Sequence, residues 1–226
     1  VVADNISQMV SSGGGLRAAG VVAVLAVVGA GCTQNVDGRA VKETPPLVVG
    51  VAEVEGLVGA QLANTTADRV PPEPVTVDPA DCAVAAGPST TAVYTSGWTQ
   101  YHLVTMQEAA DRWDHSVTQT AGKYPDDAGA TNVFSALTAD LQTCSRATAT
   151  DALDDSTAEW TFTVETPGPD TTRWTATQVD TDGWACYREA RRTGAWVVQT
   201  AVCQVGNGAP AAADLLDRLA ENVAGT

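Results

Sequence analysis

The segment CYREARRTGAWVVQTAVC, Cys186 to Cys203, constrains the fold of this chain more than any other. Gly194-Ala195 stands at its centre, and glycine first in a two-residue loop suits a type II′ hairpin turn, whose twist matches the flanking strands. Counting outward pairs Thr193 with Trp196, Arg192 with Val197 and, on the eighth rung, Cys186 with Cys203. If the rung at the loop is hydrogen-bonded, the eighth is not, and facing Cα atoms there lie ~4.5 Å apart. A disulfide accepts that separation. A four-residue turn over Arg191 to Gly194 instead sets Cys186 opposite Gln199; the two-residue register is preferred because turn and cysteines then agree.

The other cysteines bear on location. Cys32 ends the one strongly apolar run, VVAVLAVVGAG, which follows a single basic residue, Arg17. The uncharged stretch from Ala18 to Gly31 is shorter than the ~20 residues of a spanning helix. A positive start, a short apolar middle and small residues before the cut describe a secretory signal. With Gly29-Ala30-Gly31 directly before Cys32, it resembles a bacterial lipoprotein signal, in which the cysteine is acylated; Gly29 stands where that pattern usually has Leu or Val. The expectation is a signal peptide over 1–31, a lipidated polar tether over 32–46 and a domain over 47–226, held at the extracytoplasmic face of the cell membrane. Cys82, Cys144, Cys186 and Cys203 then remain, an even number suited to two disulfides in an exported chain, with three connectivities open. No C-x-x-C occurs, and His102 and His115 are remote from every cysteine, so neither a metal site nor a cofactor is expected. A net charge of −15 argues against nucleic acid as a partner, because phosphates call for a basic surface.

Periodicity organises the rest. Apolar Val51, Val54, Val58 and Leu62 at helical spacing predict a short helix over Val51 to Leu57. Pro-rich Asn64 to Pro79 reads as loop. Trp98, Gln100, His102, Val104 and Met106 alternate onto one strand face, and Trp113, His115, Val117 and Gln119 onto the next, with a turn over Glu108 to Asp111. Pro125-Asp126 is a helix start. It opens an amphipathic helix with Ala130, Val133, Phe134, Leu137, Leu141 and Cys144 on its buried face. Three strands follow, around Trp160 to Val164, Trp174 to Val179 and Trp184 to Ala190, with turns at TPGPD and at Asp182-Gly183. A last helix begins near Pro210 and buries Leu215, Leu216, Leu219 and Val223. Strands in antiparallel succession with interspersed helices make an α+β domain.

Chemistry is harder to find. No nucleophile elbow, zinc helix or phosphate loop is present, and the acid pairs Asp126-Asp127 and Asp154-Asp155 read as caps and solvated loops. His102 and His115, on neighbouring strands, read as sheet residues and not as a base or metal pair. DTDG at Asp180 to Gly183 lacks the order of a calcium loop. The six Trp read as core before cleft lining. Arg188, Arg191 and Arg192 are the only basic cluster; they read as charges blunting a sheet edge, with a grip on an anionic ligand as the rival.

The motifs VAEVEGLVG before a Pro-rich loop, Asp81-Cys82, VTQTAGKYPDDAGATNVF leading to Cys144, the Cys186–Cys203 hairpin and the closing APAAADLLDRLAENVAG together resemble the extracellular sensor domain of the PknH-type actinobacterial receptor kinases. That domain also occurs on its own in lipoproteins. The likeness spans about Leu47 to Thr226. It implies Cys82–Cys144 and Cys186–Cys203 disulfides, a twisted antiparallel sheet with packed helices, and a ligand-binding cleft whose residues stay unknown. Neither the kinase nor its spanning helix lies within these 226 residues. The expected function is a non-catalytic sensor-type lipoprotein whose ligand is a small lipid or glycan of the envelope; the alternative is a structural lipoprotein holding another envelope protein. Cys32→Ala is expected to move the protein from the detergent phase to the culture fluid. Unchanged partitioning, or an unacylated wild-type N-terminus, contradicts the anchor.

Overall fold

The computed structural model describes residues 47–110, 112–151 and 155–226. The expected signal, Cys32, the tether, Asp111 and Asp154 lie outside them, and the side chain of Trp113 is not described. In chain order the elements are α1 (Val51–Val58), β1 (Asn64–Asp68), β2 (Thr76–Asp78), a 3-10 turn (Ala80–Cys82), α2 (Ala83–Ala86), β3 (Gln100–Ala109), β4 (Arg112–Lys123), α3 (Asp127–Leu141), β5 (Arg146–Thr150), β6 (Thr157–Gly168), β7 (Thr171–Gln178), β8 (Trp184–Thr193), β9 (Trp196–Val205) and α4 (Ala209–Ala224).

The strands form one antiparallel sheet in the order β1-β3-β4-β9-β8-β7-β6-β5-β2. Its centre is the hairpin read from the sequence. Thr193 faces Trp196 and Cys186 faces Cys203, Gly194 has φ 54°, and the two cysteines are bonded with Cα atoms 3.9 Å apart.

Alternation sorts each strand onto two faces. On one face, Tyr101, Leu103, Val197, Ala190, Cys186, Trp174, Ala176, Trp160, Phe162 and Ala147 pack beneath α3 and the segment around Val84–Tyr94. Asp126 caps α3, its Oδ1 accepting from the Gly129 N–H at 2.8 Å, and the helix buries Ala130, Phe134, Leu137 and Leu141. Cys144 lies just past the helix end, 4% exposed, and is bonded to Cys82. On the opposite face, Met106, Val117, Ala121, Trp196, Val198 and Val202 pack under α1 and α4. Pro210 sits in the first turn of α4, which buries Leu215, Leu216, Leu219 and Val223. Gln119, fully buried, ties the incoming chain down by accepting from the Val49 N–H and donating to the Val49 carbonyl, at 2.8 and 2.9 Å.

A glycine is required at position 122, where the Tyr94 ring lies directly over the strand backbone. A Cβ there would come within 2.5 Å of the ring. Tyr94 also meets Tyr101 edge-on at 5.2 Å between centroids, and its hydroxyl donates to the Val197 carbonyl at 3.3 Å.

Three readings need correction. The Pro-rich Asn64 to Pro79 stretch contains β1 and β2, the two outermost strands of the sheet. Arg146–Thr150 is a strand that periodicity did not reveal. All three are short and polar, so ladder pairing with β3, β5 and β6 decides them. The β7–β8 connection is also longer than a tight Asp182-Gly183 turn: it runs over 179–183, with Asp180 and Gly183 both at positive φ.

The two disulfides close loops with sequence separations of 62 and 17 residues. Replacing Cys82 and Cys144 by Ser is expected to lower stability more than replacing Cys186 and Cys203, by about 1 kcal/mol on chain entropy. Denaturant midpoints of the two double variants check the ranking. Burial raises the Tyr94, Tyr101 and Tyr124 hydroxyls, the last to about 12, above the usual tyrosine value near 10. A group whose folded pKa is raised contributes stability below its unfolded value and loses it as pH climbs through the folded one. Arg188, lowered to about 10 by burial, acts the opposite way in that window, one group against three. Stability is therefore expected to fall from about pH 10 upward, with phenolate absorbance rising together with unfolding.

Candidate functional site

The helices cover the two faces unequally. α3 and the segment before β3 reach across one face from β3 to β5. On the other face, α1 and α4 pack over β3, β4, β9 and β8, and α4 stops short of β7 and β6. The step at its edge is a cleft of about 130 Å³.

Register sets the floor of that cleft. Glu165 on β6, Arg173 on β7 and Glu189 on β8 stand in one row across the sheet, continued on β9 by Thr200. The neighbouring row on the same face is Thr163, Thr175 and Tyr187. Ala209 and Ala212 of α4 form the wall, and the Thr200 hydroxyl donates to the Ala212 carbonyl at 2.9 Å, holding the helix in place. Trp174 and Arg188 border the cleft too, but alternation sends their side chains through to the opposite face, where both donate to the Ala85 carbonyl.

Glu189 is the unusual member. Its side chain is only 2% exposed, in a position where a carboxylate needs compensation. Oε2 accepts from Arg173 Nε at 3.0 Å, while Oε1 lies 4.0 Å from Arg191 Nη2 and has no hydrogen-bond partner in the protein. The bond to Glu189 raises the Arg173 guanidinium above its ordinary value, and Arg173 is half-exposed to the cleft. The floor thus combines one buried and one exposed carboxylate, a guanidinium between them, and threonine hydroxyls alongside. A larger cavity, about 260 Å³, lies between α3 and the segment Val84–Thr95; its lining is mostly Val and Ala and holds no buried charge.

The basic cluster does something other than expected. β8 lies inside the sheet, between β7 and β9, so these arginines guard no edge. Arg188 reaches the end of α2 and donates to the Ala85 and Ala86 carbonyls at 2.6 and 2.7 Å. Arg191 pairs with Asp217 at 2.7 Å, and Arg192 with Asp170 and Asp127. Partners within the chain account for all three, which weakens the anion-grip reading as well. His102 meets Arg69, with burial and then that arginine lowering its pKa. His115 meets Glu108 at 2.9 Å. His102 faces Ala121 and His115 faces Gln204, six residues apart along β4, so about 20 Å separates the two. Among the described residues no group of three or more His, Cys, Asp or Glu is placed to hold a metal ion. Asp126 is a cap and Asp127 an ion-pair partner. Trp160, Trp174 and Trp196 are core, and Trp98 and Trp184 pack partly buried against it.

Sequence reasoning missed the cleft row. Its signal lay in the polar phase of three strands, Thr161-Thr163-Glu165, Arg173-Thr175-Thr177 and Tyr187-Glu189-Arg191. Reading it required the register of every turn between them and the place where α4 ends.

A disulfide-stapled α+β domain is of the class made in oxidising compartments outside the cytoplasm. The chain belongs to the family of PknH-like extracellular domains, whose model matches residues 40–222. It is similar to the extracellular domain of PknH from Mycobacterium tuberculosis, known from a crystal structure, at 26% identity and TM-score 0.66, over 77% of this chain and 93% of that one. A weaker likeness links it to an uncharacterised protein of Mycobacterium smegmatis (Rv0999 ortholog), at 16% identity and TM-score 0.33 over 80% and 98%. No curated protein matches the chain. A family of extracellular domains agrees with an extracytoplasmic location, as do the two disulfides. Among the described residues no helix is long and apolar enough to cross a membrane.

Arg188→Met is expected to cost about 1–3 kcal/mol, because two carbonyls at the end of α2 lose a charged donor. Thermal unfolding of the variant checks this, and a loss confined to local hydrogen-exchange protection around α2 would identify the contact as the cause.

Proposed function

We propose that this chain is a lipoprotein, acylated at Cys32 and tethered through residues 32–46, whose domain binds a small ligand outside the cytoplasm and catalyses nothing. The observation that carries the binding reading is Glu189: Arg173 and Arg191 oppose its charge, but one oxygen of this buried carboxylate in the cleft floor has no hydrogen-bond partner in the protein, which costs folding free energy. A site that receives a polar ligand gives that cost a use. Family membership supports a sensor-type role, since the domain of this form in PknH is extracellular. The proposed anchor rests on the run that ends at Gly31-Cys32. Its strength would come from buried acyl chain, at ~0.8 kcal/mol per CH₂, so two chains suffice for stable attachment.

Native mass spectrometry of the protein purified from its own envelope is expected to find a co-purifying small molecule. Filling the cleft from the exposed end of the α4 wall with Ala209→Phe is expected to release it. A stable complex with another envelope protein and no small molecule would favour the structural role instead.

A further inference from the structure

We propose that the cleft recognises a neutral, polyhydroxylated ring, such as a sugar or an inositol-like headgroup, through the row Glu165–Arg173–Glu189 and the adjacent row Thr163–Thr175–Tyr187. The inference rests on the ligand-binding reading of this cleft and names the chemistry of its occupant.

Charge narrows the choice first. Glu189 is flanked by Arg173 and Arg191, so its charge is already opposed and a cationic ligand gains little there. Exposed Glu165 stands directly across from Arg173 and repels an anionic one. What the floor offers is a close alternation of acceptors and donors: two carboxylates, a guanidinium and threonine hydroxyls. Hydroxyl groups are the ligand atoms that both donate and accept, so they match such a surface without carrying charge. A carboxylate beside a guanidinium can take two neighbouring hydroxyls at once, each donating to an oxygen and accepting from an N–H, with charge-assisted strength.

Geometry narrows it further. Adjacent strands lie about 4.8 Å apart, and residues on one face recur about 6.8 Å along each strand. The two rows therefore form a grid of polar groups on the scale of a single six-membered ring. The volume, about 130 Å³, is below the ~300 Å³ at which drug-sized pockets begin. One ring fits, with the remainder of a larger molecule leaving through the open side over β5 and β6. The Tyr187 hydroxyl donates to the Gly206 carbonyl at 2.7 Å, which fixes the phenol and leaves its ring as the apolar part of the floor.

The test is an amide-resolved NMR titration of the full chain in a detergent without a sugar headgroup. Methyl α-mannoside, methyl β-galactoside and myo-inositol are the probes, with tetramethylammonium and acetate as charged comparisons. At least one neutral ring is expected to shift the amides of Thr163, Glu165, Thr175 and Glu189 saturably. Thr163→Val and Glu165→Gln, both at exposed positions, are each expected to weaken that binding about tenfold. Glu189→Gln is expected to abolish it, but the exposed variants decide the matter if that one fails to fold. Phosphatidylcholine vesicles with and without a galactosyl lipid separate a lipid headgroup from a free sugar: retention on the galactosyl vesicles alone, lost in Glu165→Gln, assigns the headgroup, and solution binding without retention assigns the free glycan. Sugar binding that neither exposed substitution alters overturns the assignment. Cleft shifts caused only by tetramethylammonium or acetate overturn the ligand class while leaving a binding cleft intact. So does a co-purified molecule that leaves on Ala209→Phe and carries no hydroxyls. No shift with any probe and no co-purified molecule would remove both this inference and the binding reading beneath it.

Discussion

Everything in this domain is referred to the pairing of β8 with β9. Its two-residue loop sets Thr193 against Trp196 and Cys186 against Cys203, and the disulfide locks that count at the far end. Because side chains alternate, a slip of one residue would send every group on the hairpin to the wrong face. β4 pairs with the outer side of β9, and β7 with the outer side of β8, so the faces of the whole sheet inherit this register. The second disulfide acts at longer range, joining the turn after β2 to the end of α3.

Adjacent residues on β8 show how the register divides labour. Arg188 and Glu189 point to opposite faces, and both are charges taken largely out of water. Arg188 is held by the Ala85 and Ala86 carbonyls at the end of α2, and this fastens the α2 segment to the sheet. Glu189 emerges under the edge of α4 with a single guanidinium bond and a spare oxygen. One charge completes the structure; the other leaves polar capacity at a surface step. The step exists because α4 spans only part of its face, and the uncovered strands carry threonine and ion-pair residues where the covered ones carry Val, Ala and Trp.

Ion pairs elsewhere are surface features of small individual value. Arg192 meets two exposed aspartates, Asp127 and Asp170, and Arg218 meets exposed Glu53 across α4 and α1. Their use is positional: Arg192 links β8 to the start of α3, and Arg191 links it to α4 through Asp217.

The hairpin, the Asp126 cap of α3, the Pro210 start of α4 and the buried stripes of both long helices were legible in the chain, because each is local and governed by turn chemistry or by a period of two or 3.6 residues. The short polar strands β1, β2 and β5 were not, since their partners are distant and nothing in NTTAD or RATAT separates strand from loop without a ladder beside it. The three arginines near the hairpin turn were misplaced for the same reason: whether a strand is an edge depends on what pairs with it, and β7 covers β8 from the other side. Sequence alone thus determined the apolar run before Cys32, the spacing of the other four cysteines, and the helices and hairpin that make an α+β domain. Tertiary structure alone decided that Glu165, Arg173 and Glu189 share a row and that α4 ends beside it, because a binding surface is built from register between strands and from helix coverage, and neither is encoded in any single segment.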